Sequence, residues 1–178
     1  MAFNINEMKA HLVGGGARQA LFQVTIRNPA NGTADGITPF MVNASSLPSS
    51  DLGMIPVYYF GRQMKLAGDR TFADWSVTVL NDEDFKIRNA MEQWSNAINA
   101  RERNVRDLRN YKSSATVRQY GKEGNILREY RFEGIFPASV SAIDVDWSNQ
   151  DSIESFNVTF QYDYWTIVGG ETGTGGNS

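Results

Sequence analysis

From Ser155 to Tyr164 the chain reads SFNVTFQYDY. Phe156, Val158, Phe160, Tyr162 and Tyr164 alternate with Ser155, Asn157, Thr159, Gln161 and Asp163. Successive side chains of an extended strand point to opposite faces. This strand therefore has one aromatic face and one polar face. It belongs in a sheet that buries one side in a core and wets the other, which is the habit of antiparallel sheets. A chain built around such a strand is expected to be mainly β.

A second stretch says what lies against the sheet. Ala67-Gly68-Asp69 reads as a turn. Trp75, Val77 and Val79 then alternate with Ser76 and Thr78 up to Leu80, the pattern of a half-buried strand. Asn81 reads as a helix cap, with Asp82, Glu83 and Asp84 at the positive end of the helix dipole. Ile87, Met91, Trp94 and Ile98 make one apolar stripe over residues 83–99. A helix with one apolar face must lie on something, and the strands around it are the candidate. Trp75, Trp94, Phe156, Phe160 and Tyr164 are the expected packing residues.

The remaining elements follow in order. Residues 3–12 read as a short helix with Ile5, Met8 and Leu12 on one side, ended by Gly14-Gly15-Gly16. Residues 20–27 read as a strand with Phe22, Val24 and Ile26 facing one way. Residues 28–36 form a turn-rich connection. Residues 37–45 read as a strand with Pro39 at an edge or early position, and residues 46–53 as a loop. Two strands are expected at 55–60 and 63–67, broken at Gly61, whose aromatics pack in a core or an interface. Residues 115–120 and 126–136 read as a hairpin with an outward charged face, and 139–147 as a further strand. The sum is about eight strands, one main helix and long loops: an antiparallel β-barrel or sandwich with a flanking helix. The domain reading is an N-terminal arm at 1–18, a single domain at 19–168 and a flexible tail at 169–178.

Several chemistries lack their residues. The chain has no cysteine and one histidine, His11. Disulfide frameworks and thiolate or multi-histidine metal sites are excluded, and histidine catalysis nearly so. No phosphate-binding, dinucleotide, nucleophile-elbow or zinc-protease motif is present. No catalytic site, cofactor or metal is expected. The N-terminus has neither the long apolar run nor the basic region of a signal peptide or membrane anchor, so synthesis in a cytoplasm is expected. Asp144 and Asp146 lie two apart on the expected strand, and read as a negatively charged sheet face more readily than as a cation site.

Charge is uneven along the chain. Residues 101–135 hold nine Lys/Arg against five Asp/Glu, a local +4, whereas residues 136–178 hold six Asp/Glu and no Lys/Arg. The basic run Arg101, Arg103, Arg106, Arg109 and Lys112 carries few aliphatics. It suits a solvated segment, a nucleic-acid contact or a contact with another copy, in which a basic patch meets an acidic one. Against nucleic acid, the run lacks interleaved aromatics and the chain is acidic overall, at −3.

One resemblance bears on these alternatives. AGDRTFADWSVTVLND, Ala67 to Asp82, resembles the tail tube proteins of contractile-tailed bacteriophages of the T4 type. So do Ala17 to Val24, with Gln19-Ala20 in place of the family's Pro-Asn. Ser45 to Pro48, Tyr111 to Tyr120, Gly134 to Pro137, Asp146-Trp147, Phe156 to Phe160 and Asp163 to Trp165 follow in the family's order. The resemblance implies a β-barrel or sandwich with a flanking helix, shared with the tubes of type VI secretion systems. It implies six copies in a ring with one continuous inner barrel, and rings stacked inside a sheath. Genomic DNA would pass down the lumen in transit. Partners would be further copies, the sheath protein, a baseplate tube initiator and a tail terminator, with no membrane anchor. The place would be the virion tail, and the host cytoplasm during assembly. Four lumen strands per copy would give 24 strands, a circumference of about 115 Å and a diameter of about 37 Å, wide enough for a duplex. The runner-up readings are a tube-initiating baseplate protein of the same fold and a basic-loop nucleic-acid-binding module. A conduit should not hold its cargo, so the lumen is expected to be acidic or neutral. Asp144, Asp146 and Glu154 are candidates there, with the basic run turned toward a neighbouring copy.

Overall fold

The computed structural model describes residues 5–102, 110–148 and 150–174, leaving aside the side chain of Val13. In chain order its elements are α1 (Ile5–His11), β1 (Phe22–Ile26), α2 (Thr38–Met41), β2 (Val42–Ser45), β3 (Asp51–Tyr59), β4 (Arg62–Thr71), β5 (Trp75–Leu80), α3 (Lys86–Ile98), β6 (Ser113–Tyr120), β7 (Ile126–Val140), β8 (Ser155–Gln161) and β9 (Tyr164–Gly169).

Every pairing is antiparallel. The strand order is β1-β6-β7-β8-β5-β2, with β9 also on β7, and β3-β4 stands apart as a two-stranded ribbon. β7 is the organising strand. Its first half pairs with β6 and β9, Thr116 facing Arg131 and Phe132 facing Trp165. Its second half pairs with β8, Phe136 facing Gln161 and Val140 facing Val158. Between the halves Gly134 sits at φ 68°, a conformation only glycine adopts cheaply. There Asp163 crosses so closely that a Cβ on Gly134 would collide with its carboxyl group. β7 thus passes from one layer, β1-β6-β7-β9, into the other, β7-β8-β5-β2. The sheet does not close, and the fold is a β-sandwich-like body.

The core fills the space between the layers. Val24 and Ile26 of β1, Ala115 and Val117 of β6 and Phe132 of β7 meet Trp75, Val77 and Val79 of β5 and Phe156, Val158 and Phe160 of β8. Trp75 and Phe160 pack with ring centroids 5.5 Å apart. α3 adds Ile87, Ala90, Met91 and Trp94. Trp94 tilts over Phe160 at 6.3 Å and donates its Nε1–H to the carbonyl of Tyr111 at 2.8 Å. Arg88 lies over the Phe156 ring and donates to the carbonyl of Ser141. The helix is held by its apolar stripe and by polar groups at the stripe's margins.

Several sequence expectations are corrected. Tyr164 is half-exposed, not in the core: β8 stops at Gln161, the chain bends around Gly134, and Tyr164 starts β9. Residues 37–45 are a helical turn followed by a strand. Pro39 is tolerated in the first turn of α2, and buried Thr38 donates to the carbonyl of Ala34. Asn81 does not cap α3. Its amide donates to Glu154, and the helix starts after Phe85, which takes a left-handed conformation at φ 51°. Asp84 instead accepts the Lys86 N–H. Residues 67–69 are no turn but the middle of β4. Residues 139–147 are no strand: β7 runs on to Val140, and residues 141–146 are irregular. Asp144 and Asp146 therefore lie on a loop.

Candidate self-assembly surface

β3 and β4 form a hairpin whose residues are all exposed except Gly68, which is half-exposed. β3 does not alternate between apolar and polar, so both faces of the ribbon carry apolar groups, whereas β4 sets Met64 and Leu66 against Gln63 and Lys65. Leu52, Met54, Ile55, Val57, Met64 and Leu66 flank the ribbon. At the tip Tyr58 and Tyr59 are 72% exposed and Phe60 is 90% exposed. Phe60 and Gly61 both have positive φ, 45° and 76°, the geometry of a tight two-residue hairpin turn. That conformation is natural for Gly61 and unusual for a phenylalanine. Near the base Gly53 and Gly68 face each other, and a Cβ on Gly68 would lie 3.0 Å from the Gly53 carbonyl carbon. The two glycines let the strands approach where the register shifts between Leu52 and Met54.

The outer faces of the two layers differ in charge. β6 and the first half of β7 carry Arg118, Glu129, Arg131 and Glu133 on that face, with ion pairs Arg118–Glu129 at 2.8 Å and Arg131–Glu133 at 2.7 Å, whereas Arg128 has the inward parity of Phe132 and lies over the Tyr130 ring. The hydrogen bond to Glu129 holds the Arg118 guanidinium above its usual range. The second layer carries no charged residue: β2, β5, β8 and the second half of β7 present Ser, Thr, Asn and Gln. Thr78 there donates to Asn157 at 2.7 Å. Beside this neutral face residues 141–147 and 152–154 line an open space of about 990 Å³, and Val145, Trp147 and Ile153 are exposed to solvent.

The basic run is only partly placed. Arg103, Arg106 and Arg109 lie outside the described residues. Arg101 reaches Glu92 of α3 at 3.8 Å. Lys112 pairs with Asp163 at 2.6 Å, and that hydrogen bond raises the ammonium's pKa. Among the acidic candidates, Asp146 accepts the N–H and hydroxyl of Ser148, which lower its pKa. Glu154 accepts from Asn81. Trp75, Trp94, Phe156 and Phe160 are at most 1% exposed. The residues missed by the sequence reading as a site are those of the hairpin. The signal in the sequence was the unbroken apolar run of Met54 to Phe60, which marks burial without saying whether in the chain's own core or in a neighbour.

The profile of the phage tail tube protein family matches residues 17–168. The tail tube protein gp19 of Enterobacteria phage T4 is 34% identical over 155 residues, 85% of this chain and 92% of that one. The tail tube protein of Serratia phage KSP90 is 26% identical over 165 residues, 89% of this chain and 93% of that one. Among solved structures, a chain of the anti-feeding prophage tube-terminating cap aligns at TM-score 0.64 and 19% identity, covering 85% of this chain and 89% of that one. A chain of the sheath–tube complex of an extracellular contractile injection system aligns at TM-score 0.58 and 16% identity, over 93% of this chain and 98% of that one. The sandwich with its flanking helix and the motif order therefore have one common explanation: the chain belongs to the phage tail tube protein family, as a structural tube subunit rather than an enzyme.

Proposed function

We propose that this chain polymerises into six-membered rings stacked as the inner tube of a contractile phage tail, and that genomic DNA passes through them. The observation that carries this reading is the β3–β4 hairpin. An isolated two-stranded ribbon is at best marginally stable in water, and an apolar surface of this extent marks a partner site. Such an element is stable only when it is packed against something outside its own domain. A tube of identical copies supplies that something at every position.

The neutral outer face of the second layer supports the conduit. Its four strand segments per copy match the count needed for a 24-strand lumen of about 37 Å. Phosphates find no cation on those strands, so DNA would gain no sequence-independent affinity there. Asp144, Asp146 and Glu154, on the loop beside that face, would add repulsion. The sheath, the baseplate initiator and the tail terminator are the further partners this reading requires. The solved neighbours in a sheath–tube complex and a tube-terminating cap support it by fold alone.

Negative-stain microscopy of the concentrated, purified chain tests the reading. Rings or tubes with an open lumen are expected. A monomer that retards duplex DNA in a salt-dependent manner would replace this reading with a nucleic-acid-binding one.

A further inference from the structure

Asn31-Gly32 is the one Asn-Gly pair in the chain. A glycine after asparagine has no side chain to shield its backbone nitrogen, so that nitrogen can attack the asparagine's own carboxamide. Gly32 is exposed and Asn31 half-exposed. The pair lies in the connection from β1 to α2, and two asparagines tie this connection to α3. Asn28 makes the inner tie: it is buried, its amide donates to the carbonyl of Ala90 at 2.8 Å, and its Oδ1 accepts from the N–H groups of Ala30 and Asn31. Asn31 makes the outer tie. Its amide donates to Oε1 of Gln93 at 2.7 Å, and its Oδ1 accepts the Thr33 N–H at 3.1 Å, capping the short turn Gly32–Ala34.

We propose that Asn31 is a site of self-modification, held unreacted in the folded subunit by these hydrogen bonds and converted to isoaspartate when the connection opens from α3. In the reaction the Gly32 amide gives its proton to hydroxide, and its nitrogen attacks Cγ of Asn31. The carboxamide C–N bond breaks, and that nitrogen takes up a proton from water and leaves as ammonia. One water then opens the cyclic imide at either carbonyl, giving aspartate or isoaspartate. No enzyme, oxidant or cofactor enters. In the folded chain both the oxygen and the nitrogen of the carboxamide are engaged, so the group cannot turn its carbon to the incoming nitrogen. Reaction therefore waits on local opening, as amide exchange does. The products differ in consequence. Aspartate keeps the side-chain acceptor that a cap needs. Isoaspartate runs the main chain through the former side chain, adds a methylene between Asn28 and Thr33, and loses the cap. Either product replaces the donor to Gln93 with a carboxylate, in a connection that already holds Asp35. A copy that opens there is marked irreversibly, whether or not it belongs to a tube.

Mass spectrometry tests this on the full-length chain, incubated at mildly alkaline pH either native or in urea. Trypsin then releases one peptide, Asn28 to Arg62, that carries its own controls. Asn28 precedes Pro29, which has no N–H to react, and Asn43 precedes Ala44. Deamidation at Asn31 is expected to be fast in urea and slow in the native chain. Gln93→Ala should speed the native reaction at Asn31 several-fold and leave both the urea rate and Asn43 unchanged, because only the local tie is lost. Gly32→Ala should slow the reaction in both states. Its Cβ would meet only the Asp35 side chain, at 3.6 Å, so folding should survive. The aged wild-type chain should melt below Asn31→Asp, which keeps the cap. Equal rates in the native chain and in urea overturn the proposal, as does a Gln93→Ala chain with the wild-type native rate. A parallel rise at Asn31 and Asn43 in Gln93→Ala reports global unfolding and likewise overturns it.

Discussion

Trp75 of β5 stacks on Phe132 of β7 with ring centroids 4.4 Å apart and planes 23° from parallel. Each ring comes from a different layer, so this pair closes the sandwich across its middle. Truncating either ring leaves a cavity that close-packed neighbours fill only partly. Trp75→Ala is expected to lower stability by about 3–5 kcal/mol, and Trp94→Ala by a similar amount. Chemical denaturation measures both. A Trp94→Ala chain with wild-type stability would detach α3 from the core.

Gly134→Ala should destabilise by more than its single methyl suggests. The substitution strains a left-handed backbone and drives Cβ into Asp163. A loss of roughly 1–3 kcal/mol is expected. Asp163→Ala in the same chain should recover the steric part and not the conformational part, which thermal melts of both variants would separate.

Lys112–Asp163 is a surface pair, with side chains 39% and 51% exposed. Exposed ion pairs contribute little and are screened by salt. Lys112→Met should therefore change stability by about 0–1 kcal/mol. If tube formation fails in that variant at unchanged stability, Lys112 serves a neighbouring copy rather than Asp163.

Asp35 supplies a pH signature. Burial raises its pKa, although the Asn28 N–H and the Arg27 charge pull the other way. A raised carboxyl pKa favours the folded state below the unfolded value of about 3.9. That contribution is lost as pH rises through the folded value. Asp35→Asn removes the titration, so the variant should gain on the wild type as pH climbs from about 3.9 toward neutrality. A difference independent of pH would mean that burial does not penalise this carboxylate.

Ser76→Lys with Gln161→Lys places two cations on the neutral outer face of β5 and β8. Both positions are exposed, so folding should survive. DNA affinity should rise above that of the wild type, and the gain should fall steeply with added salt. Filter binding at two salt concentrations reads this directly.

The strands at 75–80 and 155–161 were legible because a single face of each is buried and period-two patterning records that. The stripe of α3 was legible for the same reason at period 3.6. Tyr164 escaped because alternation continued in the sequence past Gln161 while the chain itself turned. The bend is fitted to residues distant in sequence: Asp163 lies against Gly134 and its N–H donates to the carbonyl of Glu133. Residues 37–41 read as strand because β-branched and aromatic residues fit either state, and the buried Thr38 hydroxyl bond that favours helix is set by tertiary position. Gly68 read as a turn because its real reason, the backbone of Gly53 opposite, lies on another strand. The apolar residues of the hairpin were noticed, and an isolated chain gives no pattern that separates burial in its own core from burial in a neighbour.

β7 belongs to both layers as one continuous strand. Sliding of one layer past the other would have to break part of the β6–β7–β9 or β7–β8 ladder or twist the backbone at Gly134 against the close-lying Asp163. The subunit therefore carries load as a braced beam rather than as two leaves in contact. In the stacked tube proposed above, stiffness of that kind in each copy would let a push applied at one end arrive at the other.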